Sequence, residues 1–121
     1  MATIINMGGG SVSPVLLASV TSVPTSSMAI SGTENWKKYD AIYYECFIHF
    51  TRADDKAIFT NLILTEIVSP GERYFPLRTV SISGAGDEAS VVCVFSENGI
   101  MMNKVTKNYD ITKVNIYGVD F

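Results

Sequence analysis

The sequence predicts an all-β domain: an antiparallel β-sandwich or jelly roll of about eight strands. Three observations carry that expectation. The run WKKYDAIYYECFIHF (residues 36–50) places Ile42, Tyr44, Cys46, Ile48 and Phe50 on one side and Ala41, Tyr43, Glu45, Phe47 and His49 on the other. A strand alternates sides with period two, so both faces of this one need cover. Turn signals recur about every eight to twelve residues through the second half, the spacing of a sandwich. Finally, residues 57–68 (AIFTNLILTEIV) are dominated by β-branched side chains, and no Lys or Arg follows Lys56 to close a helix C-terminus. Apolar spacings of four (Ile58/Leu62, Ile63/Ile67) and Asp54/Asp55 as a cap would suit a helix. The β-branched content favours a strand.

The elements follow in order. Residues 1–14 hold three consecutive glycines, Gly8 to Gly10, and read as a flexible leader or attachment arm, with the sandwich domain spanning 15–121; ordering glycine costs the most backbone entropy. Three adjacent glycines lack the spacing of a phosphate-binding loop. Residues 15–20 are a short apolar strand, 22–27 a polar connection around Pro24, and 28–30 a brief strand. The long strand 41–51 ends at the charged turn 52–56, and 57–68 is the next strand. Ser69-Pro70-Gly71-Glu72 is a turn, and 74–83 a strand interrupted near Pro76. Gly84-Ala85-Gly86-Asp87 turns the chain into strand 89–95. Asn98-Gly99 is the strongest short hairpin signal. It leads into strand 100–106, the turn 107–110 and a last strand, 111–119.

At 121 residues this is one domain, 47% hydrophobic and 17% charged, which is apolar for its size. Such a chain packs densely or hides apolar surface between copies, and the second face of strand 41–51 favours copies. Tyr43, Phe47 and His49 are the candidate oligomer interface. With nine basic against twelve acidic residues there is no basic stripe, which argues against nucleic-acid binding. No segment reaches membrane-spanning length, and the N-terminus has no export signal, so membrane insertion is not expected and synthesis and folding in a cytoplasm are. Cys46 and Cys93 read as reduced core thiols; a disulfide would need their strands to be neighbours.

Catalysis has little to stand on. His49 is the single histidine, and Cys46, three residues away, points to the opposite face by strand parity, which excludes a Cys–His dyad. A small hydrolase relying on His49 is the weakest reading. The carboxylates of Asp54, Asp55, Glu72, Asp87, Glu88 and Asp110 fall in turns without the spacing of a Ca²⁺ loop, and Cys/His spacing supports no zinc site. No metal, cofactor or catalytic residue is expected. Among the aromatics, Trp36 and Tyr39 flank the entrance of the long strand, outside its core, and are the candidate partner or glycan contacts.

Four stretches then share an order: Val15-Leu16-Leu17; Pro24-Thr25-Ser26-Ser27-Met28-Ala29; Tyr39-Asp40-Ala41-Ile42; and residues 111–119, ITKVNIYGV. This order resembles small structural proteins and fibre-tip domains of tailed bacteriophages and prophages. There a glycine-rich leader precedes a Pro-Thr-Ser segment, a YDAI strand and a terminal IYG strand. The resemblance implies a non-catalytic virion component of tail-fibre, head-fibre or receptor-binding type, made in a bacterial host's cytoplasm and built as a homotrimer of β-sandwiches. Residues 1–14 would join it to other virion proteins, and its tip would meet the host surface. A carbohydrate-binding module for a cell-wall or surface glycan is the alternative. Two departures stand out: Leu17-Ala18-Ser19 replaces an aromatic followed by polar residues, and Asn115 before IYG implies a local register shift.

Overall fold

The computed structural model describes residues 5–7, 10–21, 23, 29–52, 54–80, 88–105 and 107–121. Through these run the strands β1 (Ile5–Met7), β2 (Gly10–Val12), β3 (Val15–Val20), β4 (Ala41–Phe50), β5 (Asp55–Leu64), β6 (Arg73–Val80), β7 (Glu88–Ser96), β8 (Gly99–Lys104) and β9 (Tyr109–Val119). The only helical pieces among the described residues are two 3-10 turns, Trp36–Lys38 and Thr65–Ile67. The expected strand 57–68 is extended as far as Leu64, within β5, but its C-terminal part is corrected: Thr65–Ile67 form a 3-10 turn despite their β-branched side chains.

One antiparallel sheet has the order β3-β9-β4-β5 and the other β6-β7-β8. Successive strands stay within a sheet as a hairpin and a meander, and β9 returns to fill the gap between β3 and β4. The domain is an all-β sandwich. Its core is built by parity: Ile42, Tyr44, Cys46, Ile48 and Phe50 of β4 are each at most 3% exposed. They share one cluster with Ala89, Val91, Cys93 and Phe95 of β7, Ile100 and Met102 of β8, and Tyr109, Val114 and Ile116 of β9. Burying each large apolar side chain contributes about 1.5–3 kcal/mol. Polar groups inside the sandwich are paired. Thr33 Oγ1 donates to the Ile30 carbonyl (2.6 Å) and accepts the Ile100 amide (2.8 Å). The Tyr109 hydroxyl donates to the Ser90 carbonyl.

Several local expectations are refined. The leader contains a two-stranded hairpin, β1 with β2, registered Ile5↔Val12; Gly8 and Gly9 lie outside the described residues. So do most of the connection 22–27, the Pro24–Met28 part of the phage-like motif, and the turn 84–87. The brief strand at 28–30 is absent at its described residues; the Ile30 amide instead bonds the Ile100 carbonyl (2.8 Å). Pro76 lies within a register shift of β6 between Tyr74 and Leu77, since proline cannot donate to a ladder. The β7–β8 hairpin forms where expected, but Ser96 pairs with Gly99, so Glu97 and Asn98 are its central residues. Asn98 is not among the positive-φ residues while Gly99 has φ +127°, so the turn is not the Asn-Gly type that needs both central residues left-handed. The register shift in the last strand lies at Thr112, opposite Phe47/Ile48, not at Asn115.

Candidate functional site

The outer face of the four-stranded sheet is where β4's second set of side chains emerges. Tyr43, Glu45, Phe47 and His49 are half-buried, alternating with the buried inner set. The first three each meet a neighbour fixed by the β4–β9 register. Tyr43 lies against Tyr117, ring centroids 5.8 Å apart and tilted 40°. Glu45 Oε1 accepts from the Tyr117 hydroxyl (3.0 Å) and from Asn115 Nδ2 (3.2 Å), and Ser19 Oγ of β3 donates to Asn115 Oδ1 (2.7 Å). Burial, and then the bond to the Glu45 carboxylate, hold the Tyr117 phenol above its usual pKa. Lys113 Nζ stands 5.9 Å from the Phe47 ring centroid, a cation–π contact.

Farther along the strand, His49 Nε2 is 2.7 Å from Asp54 Oδ1. Asp54 sits in the β4–β5 turn with φ +52°, a conformation that Asp tolerates better than most residues. The hydrogen bond from His49, followed by its charge and that of Lys56, lowers the Asp54 carboxyl below its ordinary value. Phe47, His49, Asp54, Lys56, Ile58 and Thr112 line a half-open groove of about 870 Å³ at this end of the sheet. Two of the three expected interface residues, Phe47 and His49, therefore share one concavity; Tyr43 belongs to a separate aromatic pair higher on β4.

That groove holds a His–Asp pair but no activated nucleophile among its lining. Its one alcohol, Thr112 Oγ1, donates to the Phe47 carbonyl (3.3 Å). Cys46 lies on the inner face, as parity requires. Burial pushes its thiol, and that of Cys93, up to about 12, so neither forms a thiolate near neutral pH. Both cysteines are free, and their strands lie in different sheets. Among the described residues no cluster of three or more His, Cys, Asp or Glu is placed to hold a metal. What the arrangement offers is binding: apolar walls from Phe47 and Ile58, a cation at Lys56 and a hydrogen-bonding rim.

The expectation for Trp36 is overturned. The sequence places it outside the core, yet it is 2% exposed. The 3-10 turn rotates its indole inward, where Nε1 donates to the Ser96 carbonyl (2.7 Å) and the ring packs edge-on against Phe95 at 4.9 Å. Trp36 plugs the mouth of the sandwich and cannot stack on a sugar. Tyr39 is half-buried for a different reason. A Cβ on Gly118 would stand only 2.5 Å from the Tyr39 ring, so the aromatic lies directly on the glycine of the last strand. Asp40, the next residue, accepts the Phe121 amide (2.7 Å) and its own amide donates to Asp120 (3.2 Å). The Tyr-Asp and Tyr-Gly stretches singled out in the sequence thus clasp each other across the sheet.

Sequence reasoning missed the Glu45–Asn115–Tyr117–Ser19 network and the Asp54 partner of His49. The first depends on β9 lying between β3 and β4, a non-local pairing with no short-range signal. The second was within reach, five residues away across a recognisable turn. No family model, curated protein or solved structure matches this chain.

Proposed function

We propose that this protein is a virion structural component of a bacteriophage or prophage, of fibre-tip or head-fibre type. It assembles with copies of itself and attaches to a host surface without catalysing a reaction. The observation that carries the reading is the outer face of the four-stranded sheet: half-exposed Tyr43 and Phe47 beside Ile58, which is 63% exposed, over a sandwich whose inner face is already closed. A surface of that kind suits contact with another protein. The order of motifs through the sequence supports the phage assignment, for which the resemblance implies three copies and attachment to other virion proteins through residues 1–14.

The test is attachment. Fluorescently labelled protein is applied to a panel of bacterial strains, and phage adsorption to any labelled strain is measured with unlabelled protein as competitor. Saturable labelling together with blocked adsorption supports the reading; labelling of none, or labelling without competition, removes the attachment role. Glycan recognition is the second reading. It now rests on Tyr39 alone, in a shallow cleft shared with Lys38, Asp40 and Glu66. A glycan array with Tyr39→Ala decides it: binding that survives the substitution takes the cleft out of consideration.

A further inference from the structure

A sandwich of two open sheets has four edge strands, here β3, β5, β6 and β8. Open edges present unpaired amides and carbonyls, and folded proteins blunt them with bulges, prolines, charges or covering loops. Three of the four are treated in this way. β3 is bulged between Leu16 and Ala18, and the Gly32 loop packs so closely that a Cβ there would collide with the Leu17 carbonyl. β6 is broken by the shift around Pro76. β8 has both backbone groups of Ile100 occupied, its carbonyl by the Ile30 amide and its amide by Thr33 Oγ1, and it ends on Lys104.

β5 carries neither bulge nor proline among the described residues, and its charges, Asp55 and Lys56, lie at one end. It runs 10 residues and pairs with β4 without a register shift from Leu64↔Ala41 to Asp55↔Phe50. Its parity is fixed: the Leu62 amide is turned away from β4, where Asn61 Oδ1 of its own strand accepts it (2.8 Å). Alternation then turns the amides and carbonyls of Ile58 and Thr60 to the same open side. Outward side chains from Ile58 to Leu64 are uncharged, and Ile58 and Thr60 are exposed.

We propose that β5 is a pairing edge for β5 of a second copy of this chain, antiparallel about a two-fold axis at Thr60. The pattern is self-complementary, which an isologous contact demands. Such pairing sets Thr60 against Thr60 of the second copy and Ile58 against Leu62 of the second copy, and places Lys56 opposite Leu64, so that no like charges meet. Asn61 swings off Leu62 as the partner carbonyl takes its amide. The two four-stranded sheets become one continuous sheet, with their outer faces, Phe47 included, on the same side. This contact is distinct from assembly through the outer face and does not depend on the phage reading.

Sedimentation equilibrium of the full chain over a concentration series tests it. The wild type gives a species of twice the 13.2 kDa subunit mass. Thr60→Asp, which opposes two carboxylates at the axis, and Thr60→Pro, which removes an outward amide, both remove the two-subunit species with a strand-rich far-ultraviolet spectrum retained. Phe47→Ala keeps the two-subunit species and removes only larger ones. Amide exchange at Ile58, Thr60 and Leu62 slows with concentration in the wild type and stays fast in Thr60→Asp. A wild type that remains a single subunit throughout overturns the proposal, as does a mass unchanged by Thr60→Asp. If Phe47→Ala dissociates the protein while Thr60→Asp leaves it assembled, the outer face is the contact and edge pairing is wrong. The reverse result keeps the edge and removes the face.

Discussion

The two faces of β4 belong to one run of ten residues yet are held by different physics. The inner face is closed by the other sheet, and its Ile, Tyr, Cys and Phe side chains lose nearly all contact with water. The outer face is closed pair by pair, through a tilted tyrosine pair, a carboxylate shared by two donors, a cation over a ring and a His–Asp bond. Dispersion and desolvation summed over many neighbours make the first face a source of stability. Isolated polar and cation–π contacts at partly wet sites are each worth about 1 kcal/mol or less, so the second face has surface to spare for other molecules.

That contrast breaks first if core substitutions prove mild. Trp36→Ala should cost about 3–5 kcal/mol and Ile48→Ala about 2–5 kcal/mol in urea unfolding, the range for emptying a packed interior. A loss below 1 kcal/mol at Trp36 would mean that its indole does not plug the sandwich. Gly118→Ala comes next. Its new methyl displaces the Tyr39 ring, and overpacking of this kind costs about 1–3 kcal/mol; Tyr39→Ala in the same chain should recover part of the loss. Phe47→Ala sharpens the comparison from the other side. It is expected to change single-subunit stability by about 1 kcal/mol or less while weakening association into larger species. Melting curves that shift equally with protein concentration in wild type and variant would contradict the division of labour.

The smallest effect is at His49–Asp54. The Asp54 carboxyl is depressed in the folded chain, so its bond adds stability above the ordinary aspartate pKa of about 3.9. That contribution fades as pH falls through the lowered folded value. Asp54→Asn should therefore lower the melting temperature slightly near neutrality and flatten its acid limb, so that variant and wild type converge at low pH. A wild-type acid limb that Asp54→Asn does not alter would show the pair to be energetically silent.

Much of the fold was legible because it is locally encoded. Strand parity alone sorted β4 into its two faces, Pro76 marked the break in β6, and the β-branched run 57–68 was extended as far as Leu64 but not through Thr65–Ile67. The outer-face candidates Tyr43, Phe47 and His49 followed from the same parity. Trp36 was misread because its neighbours Lys37 and Lys38 and a glycine-containing loop give it the signature of a surface residue. What draws it inward is the Ser96 carbonyl, sixty positions along the chain, together with the Phe95 ring. The Asn98-Gly99 hairpin was correctly located but its turn was not, since Gly99 takes the positive φ alone. Interaction partners across β4 and β9 stayed hidden for a simple reason. Period-two patterns say which way a side chain points and nothing about which strand lies beside it.

The place of β9 has a consequence for how the molecule is made. β4–β5 and β6–β7–β8 are hairpin-connected and close from nearby sequence, whereas β9 is the seam that joins β3 to β4 and arrives after every other strand. Until the ribosome has released residues up to Val119, β4 has an open flank and β3 lacks its one partner among the described strands. The half-built sheet stays open along that seam until β9 emerges, so removal of this eleven-residue strand would leave two fragments of a sheet and no sandwich.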